Sequence, residues 1–524
     1  MATFNLIDEP WIPAVDQQGA AREVGLREAL VDAHLLSSVR HASPLATVAL
    51  HRLMLAVLHR IFGPRDPGEW VELWRQGQWD GAALQDYLDH WRDRFDLFDP
   101  VHPFYQVPQM PDAVTHPPEH LMLEAASGNN ATLFDHHHER RRVPLRAADA
   151  ACYLLAQQSY AIGFGKSSPF YFSDAPLVRG FTVLIHGETL FETLMLNLQN
   201  YTPTSRDLPA WEDDAPREPD RDGTLPRGYL DYLTWQSRRI HLIADGDPPY
   251  VIGCQIQQNL KLRGDESDPF KVYRSDKERG MVPLSLVPGR AVWRNADALF
   301  HLPEATRMGP QDQSTTPPRS FRWLSVVRQQ ARGSTVELRS VYRFGVYGMA
   351  TQPGKAASVV LWAQEELPLP LDLLDDAQQV HDLADGLGLA ERAGSIERRA
   401  VQHLASLLLT PESDLQDGRR ADPKAIHSLA EHMDPTPDYW AALGGTFGRF
   451  MVGLTVDRVP ALQEWADAVR IASIDSFGRL VRSLGTSARE LKAIVRAERA
   501  FRLWLNSEVS EWKERVGYES AQPA

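Results

Sequence analysis

"EELPLPLDLLDD" (Glu365 to Asp376) separates two parts of the chain that follow different sequence patterns. Two prolines interrupt this stretch, and proline disfavours helix both at its own position and at the residue before it. The chain before it mixes short strand-like and helical runs, whereas the chain after it has a helical pattern. We therefore predict an α+β fold, in which a large mixed N-terminal globular domain, residues 1–365, precedes a C-terminal four-helix bundle, residues 372–524.

The strand-like runs of the first part are short and are closely separated by turn residues. They include "VRGFTVLIHG" (178–187), "RRIHLIA" (238–244) and "YVIGCQI" (250–256). This arrangement favours an α+β fold over a regular alternation of strands and helices. The run "SPLATVALHRLMLAVLHRIFG" (43–63) is helical in pattern. We find no apolar run that approaches the length needed to span a bilayer.

The second part contains several amphipathic segments with short breaks between them. "SARELKAIVRAERAFRLWLNSE" (487–508) places apolar residues at near-helical spacing. Ser487 with Glu490 three positions later predicts a capping box at the start of this helix. "ERRAVQHLASLLLTP" (397–411) and "PALQEWADAVRIAS" (460–473) follow the same pattern. Helices of this kind in succession predict a helical bundle.

The formal net charge of -14 comes from 55 basic and 69 acidic residues in a chain of 524. Over the whole chain this argues against a polyanion-binding protein, although local basic patches are what create an electrostatic binding surface. The two cysteines, Cys152 and Cys254, lie outside any C-x-x-C motif, which excludes a disulfide framework and a four-cysteine zinc site. The N-terminus lacks the pattern of a secretion signal, so we expect a cytoplasmic protein.

Two local stretches are strongly basic. "HHHERRRVPLR" (136–146) contains four arginines, and "RSFRWLSVVRQQARGSTVELRSVYRFG" (319–345) contains six. The second stretch interleaves its arginines with four aromatic residues, Phe321, Trp323, Tyr342 and Phe344. Basic residues with interleaved aromatics fit a nucleic-acid surface, but a solvated helix face with core aromatics has the same pattern. Both interpretations stay open from the sequence.

The segment "IGFGKSSPFYFSDAP" (162–176) begins like a phosphate-binding loop. A P-loop requires a glycine five positions before Gly165, where this chain has Tyr160. The dinucleotide fingerprint requires a third glycine where this chain has Ser168. What is left is a loop with two close glycines, Gly163 and Gly165, whose backbone can approach a flat partner closely. An ordinary turn is the other interpretation.

One pair of residues points towards an enzyme. "VHDLADG" places His381 beside Asp382, the adjacent pair of HD phosphohydrolases, whose metal site needs further ligands. Neither a G-x-S-x-G elbow nor an H-E-x-x-H helix is present. A metal- or nucleotide-dependent phosphohydrolase, using His381 and Asp382 or the Gly-Lys-Ser loop, is the alternative hypothesis for function.

Seven segments of the first 365 residues are individually weak signals but are specific when taken together. They are "FNLIDEPWIPA" (4–14), "HPFYQVP" (102–108), "SGNNATLFDHH" (127–137), "IGFGKSSPF" (162–170), "GYLDYLTWQSRRIHL" (228–242), "RGMVPLSLVPGRAVWRN" (279–295) and "YGMATQPGKAASVVLW" (347–362). In this combination the chain resembles the CasA family, the large subunit of the type I-E CRISPR surveillance complex, Cascade. The helical bundle matches that family in kind and position.

The resemblance implies a cytoplasmic antiviral-defence protein that binds DNA and is not an enzyme, with no catalytic residue, no metal and no cofactor. In this family the large subunit recognises the PAM of double-stranded target DNA from the minor groove, and wedges the duplex open to start R-loop formation. The partners implied are the target DNA, the guide-RNA-containing Cascade subunits (backbone and small-subunit dimer), and a helicase-nuclease recruited after R-loop formation. No membrane contact is implied.

The resemblance also assigns roles to individual residues. The glycine loop at the PAM corresponds to Gly163, Phe164, Gly165, Lys166 and Ser167. Lys166, Ser167 and Ser168 stand where some family members carry more glycine. The wedge corresponds to Gln352, and a basic finger corresponds to Arg274 or Lys277. The loop that docks near the 5′ end of the guide corresponds to Phe134, Asp135 and His136.

Overall fold

The structure is a computed structural model of the chain. It describes residues 2–124, 143–163, 173–214, 217–264, 268–300, 315–351, 359–411, 413–414 and 419–520. These residues form two compact units. The first contains the described residues of 2–288 and 315–366, and the second contains those of 289–300 and 367–520.

The first unit mixes helices with short strands. Its helices are α1 (Leu26–Val31), α2 (Pro44–Phe62), α3 (Pro67–Gln76), α4 (Gly81–His90), α5 (Ala147–Tyr160), α6 (Leu190–Asn197), α7 (Tyr229–Leu233) and α9 (Arg319–Arg332). Its strands are β1 (Ile12–Asp16), β2 (Ala21–Val24), β3 (Leu36–Val39), β4 (Leu145–Arg146), β5 (Phe181–His186), β6 (Arg238–Asp245), β7 (Tyr250–Gln258), β8 (Tyr273–Asp276), β9 (Gly280–Pro283), β10 (Thr315–Thr316), β11 (Val341–Thr351) and β12 (Val359–Pro370), the last of which continues past the division between the units.

Four small sheets replace any single large sheet among these strands. Their strand orders are β2-β1-β3, β4-β7-β6, β10-β8-β9 and β12-β11-β5. Strands β6 and β7 form an antiparallel hairpin whose register places Arg238 opposite Gln258. This organisation confirms the α+β prediction, and three of the strands lie where the strand-like runs predicted them.

Helix α2 lies in the core of the first unit. Ser43 caps it by accepting a hydrogen bond from the backbone N–H of Ala46 at 3.4 Å. By length and composition alone α2 is apolar enough to cross a membrane, which corrects the statement that no run approaches that length. However, 83% of its apolar window is buried inside the protein. The apolar character of α2 is therefore that of a core helix packed on most of its faces.

The second unit is dominated by four long helices, as predicted. They are α10 (Ala377–Leu409), α12 (Thr436–Val456), α13 (Arg458–Ser483) and α14 (Ala488–Ser520), and the shorter α8 (Ala296–Leu299) and α11 (Pro423–His432) accompany them. The capping box at the start of α14 is present. The backbone N–H of Ser487 donates to a Glu490 carboxylate oxygen at 2.9 Å, and the N–H of Glu490 donates to the Ser487 hydroxyl at 3.3 Å.

Residues 289–300 belong to the second unit, although the sequence-based division placed all of 1–365 in one domain. Trp293 in this segment stacks on Phe447 of α12, with ring centroids 4.7 Å apart. Arg294 donates to the Glu391 carboxylate of α10 at 2.7 and 2.9 Å. Aromatic contacts of Trp293 and ion pairs from Arg290 and Arg294 to Glu391 therefore hold this segment within the bundle unit.

Candidate nucleic-acid interface

Three of the residues with predicted roles lie in the described part of the chain: Gly163, Arg274 and Lys277. The other predicted site residues, Phe164, Gly165, Lys166, Ser167, Gln352, Phe134, Asp135 and His136, lie outside it. The geometry of the site can therefore be built from the two arms that flank residues 164–172 and from the β8–β9 hairpin.

The two arms run side by side at the end of α5. The backbone N–H of Ala175 donates to the Ala161 carbonyl, and that of Leu177 donates to the Ser159 carbonyl, both at 2.9 Å. Gly163 is fastened across the arms, because its N–H donates to a carboxylate oxygen of Asp174 at 2.9 Å. The approach of the chain to the predicted glycine loop and its departure from that loop are thus tied together by hydrogen bonds of the main chain.

Arg238, the first residue of β6, forms hydrogen bonds to both arms. Its Nη2 donates to the carbonyl oxygens of Ala161 at 2.9 Å, Ile162 at 3.3 Å and Ser173 at 2.7 Å. Only 2% of this residue is exposed, and burial lowers the pKa of its guanidinium to about 10, which leaves it charged at neutral pH. A buried charge is tolerated where its donors are satisfied, and here the carbonyls of the two arms supply acceptors.

Gln258 of β7 reinforces the same anchor. Its side-chain carbonyl accepts a hydrogen bond from the Ser173 N–H at 2.7 Å, and its amide donates to the Ser173 hydroxyl at 3.1 Å. The same carbonyl oxygen accepts from Arg238 Nη1 at 3.3 Å. The β6–β7 register places Arg238 opposite Gln258. One end of this hairpin therefore supports both arms.

The β8–β9 hairpin carries the two candidates for the basic finger. Arg274 lies on β8, where it pairs with Val282 of β9 and Thr315 of β10, and Lys277 lies in the turn that joins β8 to β9. Both residues are exposed. Asp276 shapes the turn by accepting hydrogen bonds from the N–H groups of the two residues after Lys277 at 3.0 and 2.9 Å, and these bonds lower the pKa of its carboxyl.

This hairpin abuts the second arm of the glycine loop at Gly180. The φ of Gly180 is +82°, and a Cβ added there would lie 2.5 Å from the Cβ of Pro283 in β9. Only glycine allows the two backbones to approach this closely. The loop arms and the hairpin therefore contribute to one continuous surface of the first unit.

A depression of about 540 Å³ lies on this surface. Gly163 lines it together with three basic residues, Arg179, Lys261 and Arg279, and one acidic residue, Asp174. Asp174 accepts from Arg179 at 2.9 Å, whereas the ammonium group of Lys261 donates to a carbonyl oxygen at 3.0 Å. Lys261 and Arg279 have no carboxylate partner among the described residues, so the depression carries a net positive charge.

The basic stretch 319–345 is organised differently from a stacking surface. Its four aromatic residues, Phe321, Trp323, Tyr342 and Phe344, are at most 9% exposed. Trp323 donates its indole N–H to the Leu198 carbonyl at 2.9 Å. These aromatics are core residues of α9 and β11, so the interpretation of them as a platform for bases is wrong.

The first basic stretch, 136–146, is described at its end alone. Arg146 forms ion pairs with Glu23 at 2.7 Å and Asp149 at 2.8 Å. Arg140, Arg141 and Arg142 lie outside the described residues. Arg146 is therefore engaged with two carboxylates of its own unit, which reduces its value as a contact for phosphate.

Asp382, the second residue of the His381–Asp382 pair, forms an ion pair between α10 and α13. Asp382 is 3% exposed and accepts hydrogen bonds from Arg458 at 2.8 Å and from Gln378 at 3.1 Å. Across the described ranges, no cluster of three or more His, Cys, Asp or Glu side chains could hold a metal ion. The geometry gives Asp382 an ion-pairing role, and no metal-binding cluster forms around the pair among these residues, so the pair lends no support to the phosphohydrolase hypothesis.

Arg238, Gln258 and Asp174 were not identified by sequence reasoning. The signal that could have pointed to Arg238 is strand alternation, since Arg238, Ile240 and Leu242 lie on the same face of β6. The apolar partners on that face mark it as buried, and a buried arginine must find acceptors. Nothing in the sequence identifies those acceptors, because they are backbone carbonyls of a segment 65 to 77 residues away.

Comparison with known proteins identifies relatives over almost the whole chain. The family described as CRISPR-associated protein Cse1 matches residues 5–476. The CRISPR-associated protein CasA/Cse1 of Thermus thermophilus is 34% identical over 508 residues, which cover 95% of this chain and 96% of that protein. A solved structure of Thermus thermophilus CasA (Cse1) has a TM-score of 0.80 at 31% identity, covering 97% of this chain and 100% of that one.

A chain in a solved structure described as a CRISPR RNA-guided surveillance complex shares the fold, with a TM-score of 0.73 at 22% identity and coverage of 96% of this chain and 100% of that one. The resemblance seen in the scattered sequence motifs thus agrees with the family match, with the Thermus relative and with the fold. The chain belongs to the CRISPR-associated Cse1 (CasA) family.

Proposed function

We propose that this chain is the target-recognition subunit of a CRISPR RNA-guided surveillance complex. In this proposal it recognises the PAM of double-stranded DNA from the minor groove and starts strand opening, and it then serves as the platform that recruits a helicase-nuclease. The observation that carries the proposal is the anchoring of Gly163 beside a basic depression and the exposed β8–β9 hairpin. Membership of the Cse1 family and the fold shared with a chain of a surveillance complex support it.

The proposed recognition rests on backbone rather than on side chains. A glycine backbone lacks a Cβ and can therefore lie against base edges in the narrow minor groove. The donor and acceptor pattern in that groove is degenerate, so this kind of contact tolerates several PAM sequences. Because the arms of the loop are already fixed, the glycine backbone has less conformational entropy to lose on binding.

The basic residues around Gly163 have a separate role in this proposal. Arg179, Lys261 and Arg279 contact phosphates that flank the PAM, because phosphate contacts orient a protein on the duplex without selecting sequence. Arg274 or Lys277, on the exposed hairpin, enters the groove as the basic finger. Their chemistry is that of binding, and the proposal assigns the chain no catalytic step.

The remaining predicted residues keep the roles that the family implies. Gln352 wedges apart the first base pair of the target, and Phe134, Asp135 and His136 dock near the 5′ end of the guide RNA. The other partners are the backbone and small subunits that hold the guide. Guide RNA and DNA meet in the cytoplasm, where we expect the protein to act.

The proposal is tested by assembling the chain with its guide RNA and the subunits encoded beside it. The complex is incubated with duplexes that match the guide and are randomised next to the target, and the bound duplexes are sequenced. We expect enrichment of a short motif beside the target when the chain is present and its loss when the chain is omitted. Bound duplexes without any enriched motif in both samples would refute PAM recognition by this chain.

A further inference from the structure

We propose that Arg238 is a positioning residue for PAM recognition, acting through the two arms that hold Gly163. This inference rests on the proposed function of Gly163. Arg238 lies outside the glycine loop, on strand β6. In this proposal it determines where the backbone on either side of the loop is held. Arg238 itself is buried and touches no DNA in this scheme.

The geometry requires an arginine. A single planar guanidinium reaches carbonyl oxygens on both arms, Ala161 at 2.9 Å and Ser173 at 2.7 Å, while its other terminal nitrogen bonds to the Ser237 carbonyl at 2.9 Å. Lysine carries the same charge, but its one nitrogen on a flexible stem cannot span acceptors in this divergent arrangement. The charge of Arg238 strengthens these bonds because they lie in a low-dielectric interior.

The main chain of Arg238 is itself fixed. Its N–H donates to the side-chain carbonyl of Gln158 on α5 at 2.9 Å, and its carbonyl accepts from the Gln158 amide at 2.9 Å. Gln158 is 2% exposed. We call the Arg238 side chain with its bonds to the two arms the clamp. The clamp is attached both to strand β6 and, through Gln158, to the helix that leads into the first arm. The arms therefore cannot shift without breaking charge-assisted hydrogen bonds.

Such a clamp matters for recognition by a glycine backbone. Gly163 has no side chain that could pack and hold its place, so its position depends on the hydrogen bond from its own N–H to Asp174 and on the groups that bind its neighbours. Recognition geometry must be held within about 0.5 Å by supporting contacts for binding to be specific. We therefore expect loss of the clamp to lower PAM discrimination while leaving sequence-independent DNA binding in place.

The test uses Arg238→Lys in the fully assembled complex, with Arg239→Lys as the matched control. Arg239 is the next residue of the same strand and points to the opposite face, so it receives the same substitution without contact to the arms. The measured quantity is the ratio of the dissociation constants for a duplex with a scrambled PAM and one with a selected PAM. Arg238→Lys is expected to lower this ratio about tenfold, since it removes several charge-assisted hydrogen bonds.

A second readout separates positioning from folding. Hydrogen exchange at the Ala175 and Leu177 amides, which bond across the arms, should accelerate in Arg238→Lys, while exchange in α2 stays unchanged. If Arg238→Lys does not fold, Asp174→Ala replaces it as the test. Asp174 is half-buried, and its removal breaks the hydrogen bond that fastens Gly163, so it should also lower the ratio of dissociation constants. Undiminished discrimination in folded Arg238→Lys, or in Asp174→Ala if that variant is needed, would overturn the inference.

Gly163→Asp distinguishes failure of this inference from failure of the proposed function. If Gly163→Asp abolishes PAM discrimination while Arg238→Lys retains it, Gly163 contacts the PAM and Arg238 does not position it, so the inference alone fails. If both variants discriminate as the wild type does, the proposed role of the glycine loop fails, and the inference fails with it.

Discussion

The Arg238 guanidinium donates a 2.7 Å hydrogen bond to the backbone carbonyl of Ser173, which lies 65 residues earlier in the chain. The same nitrogen bonds to the Ala161 carbonyl at 2.9 Å. One buried side chain therefore fixes the separation between the residues that precede and follow the predicted PAM loop. In the proposed function, this contact holds the two arms of the glycine loop in a defined position for binding to DNA.

The basic depression beside Gly163 predicts a specific salt dependence. Lys261→Gln and Arg279→Gln should each weaken binding of the assembled complex to all PAM duplexes about equally. Each lost phosphate contact should reduce the slope of log affinity against log salt concentration by about 0.9. Arg502→Gln in the bundle, an exposed arginine paired with Glu498, serves as the control. Unchanged slopes for both variants would show that Lys261 and Arg279 are solvated surface.

The wedge assignment predicts that Gln352 acts on strand opening. Gln352→Ala should impair binding to a fully paired target but spare the same target with its first few bases unpaired, because a preformed bubble removes the unstacking cost. Binding of wild-type and variant complexes to both duplexes is measured. An equal loss on both would mean that Gln352 supports folding or docking, and the wedge role would have to be abandoned.

The helical parts of the fold were predictable because they depend on local patterns. Helix α2 and the capping box of α14 follow from apolar periodicity and from the spacing of Ser487 and Glu490. Trp293 could not be assigned to the bundle in this way, because its stacking on Phe447 joins positions far apart in the sequence. The aromatic residues of α9 were ambiguous for a related reason, since a core face and a stacking surface have the same sequence pattern.

The site was predictable to a smaller extent. Gly163 was predicted from the resemblance of its segment to a family motif, and that motif does not show the hydrogen bond from Gly163 to Asp174 across the arms. The role of Arg238 follows from acceptors on backbone carbonyls, which have no sequence signature. Pairing of β6 with β7 brings Gln258 to the same point, and this register becomes visible only in the folded chain.

A buried acid in the bundle predicts a pH-dependent stability. Glu397 of α10 is fully buried and accepts a hydrogen bond from the Ser476 hydroxyl of α13. Burial raises the pKa of its carboxyl to about 8, to which Asp434 adds, while the Ser476 hydrogen bond and then Arg479 and Arg398 oppose the rise. The folded state therefore binds its proton more tightly than the unfolded state does.

The sign of the pH effect follows from this proton binding. The contribution of Glu397 to stability is greatest below its unfolded pKa, declines as the pH rises towards 8 and levels off above it. Because Glu397→Gln removes the titrating group, it should abolish a decline in unfolding free energy of about 5 kcal/mol between the unfolded and folded pKa values. Urea unfolding of both proteins at several pH values measures this. A wild-type curve that declines no more steeply than that of Glu397→Gln would contradict the prediction.

If Asp382 serves only the ion pair with Arg458, its substitution should lower the stability of the protein and should not change any hydrolytic activity. Asp382→Ala removes the carboxylate that pairs with the partly buried Arg458 guanidinium, and should cost about 3 kcal/mol of unfolding free energy. Asp385→Ala breaks the more exposed pair with Arg515 and should cost less than about 1 kcal/mol. Chemical denaturation measures both. Metal-dependent cleavage of DNA by the purified wild-type chain that disappears in Asp382→Ala would instead favour the phosphohydrolase.

The central claim, that the chain recognises the PAM from the minor groove, can be measured directly with base analogues. Every base pair contains a purine, so the selected PAM can be altered either in the minor groove (inosine for guanine, or 2,6-diaminopurine for adenine) or in the major groove (7-deazapurines). Binding of the assembled complex to each duplex is compared with binding to the unmodified PAM. We predict that the minor-groove changes alter affinity and that the major-groove changes leave it unaltered. Loss of affinity on the 7-deazapurine duplexes, with none on the minor-groove analogues, would contradict the claim.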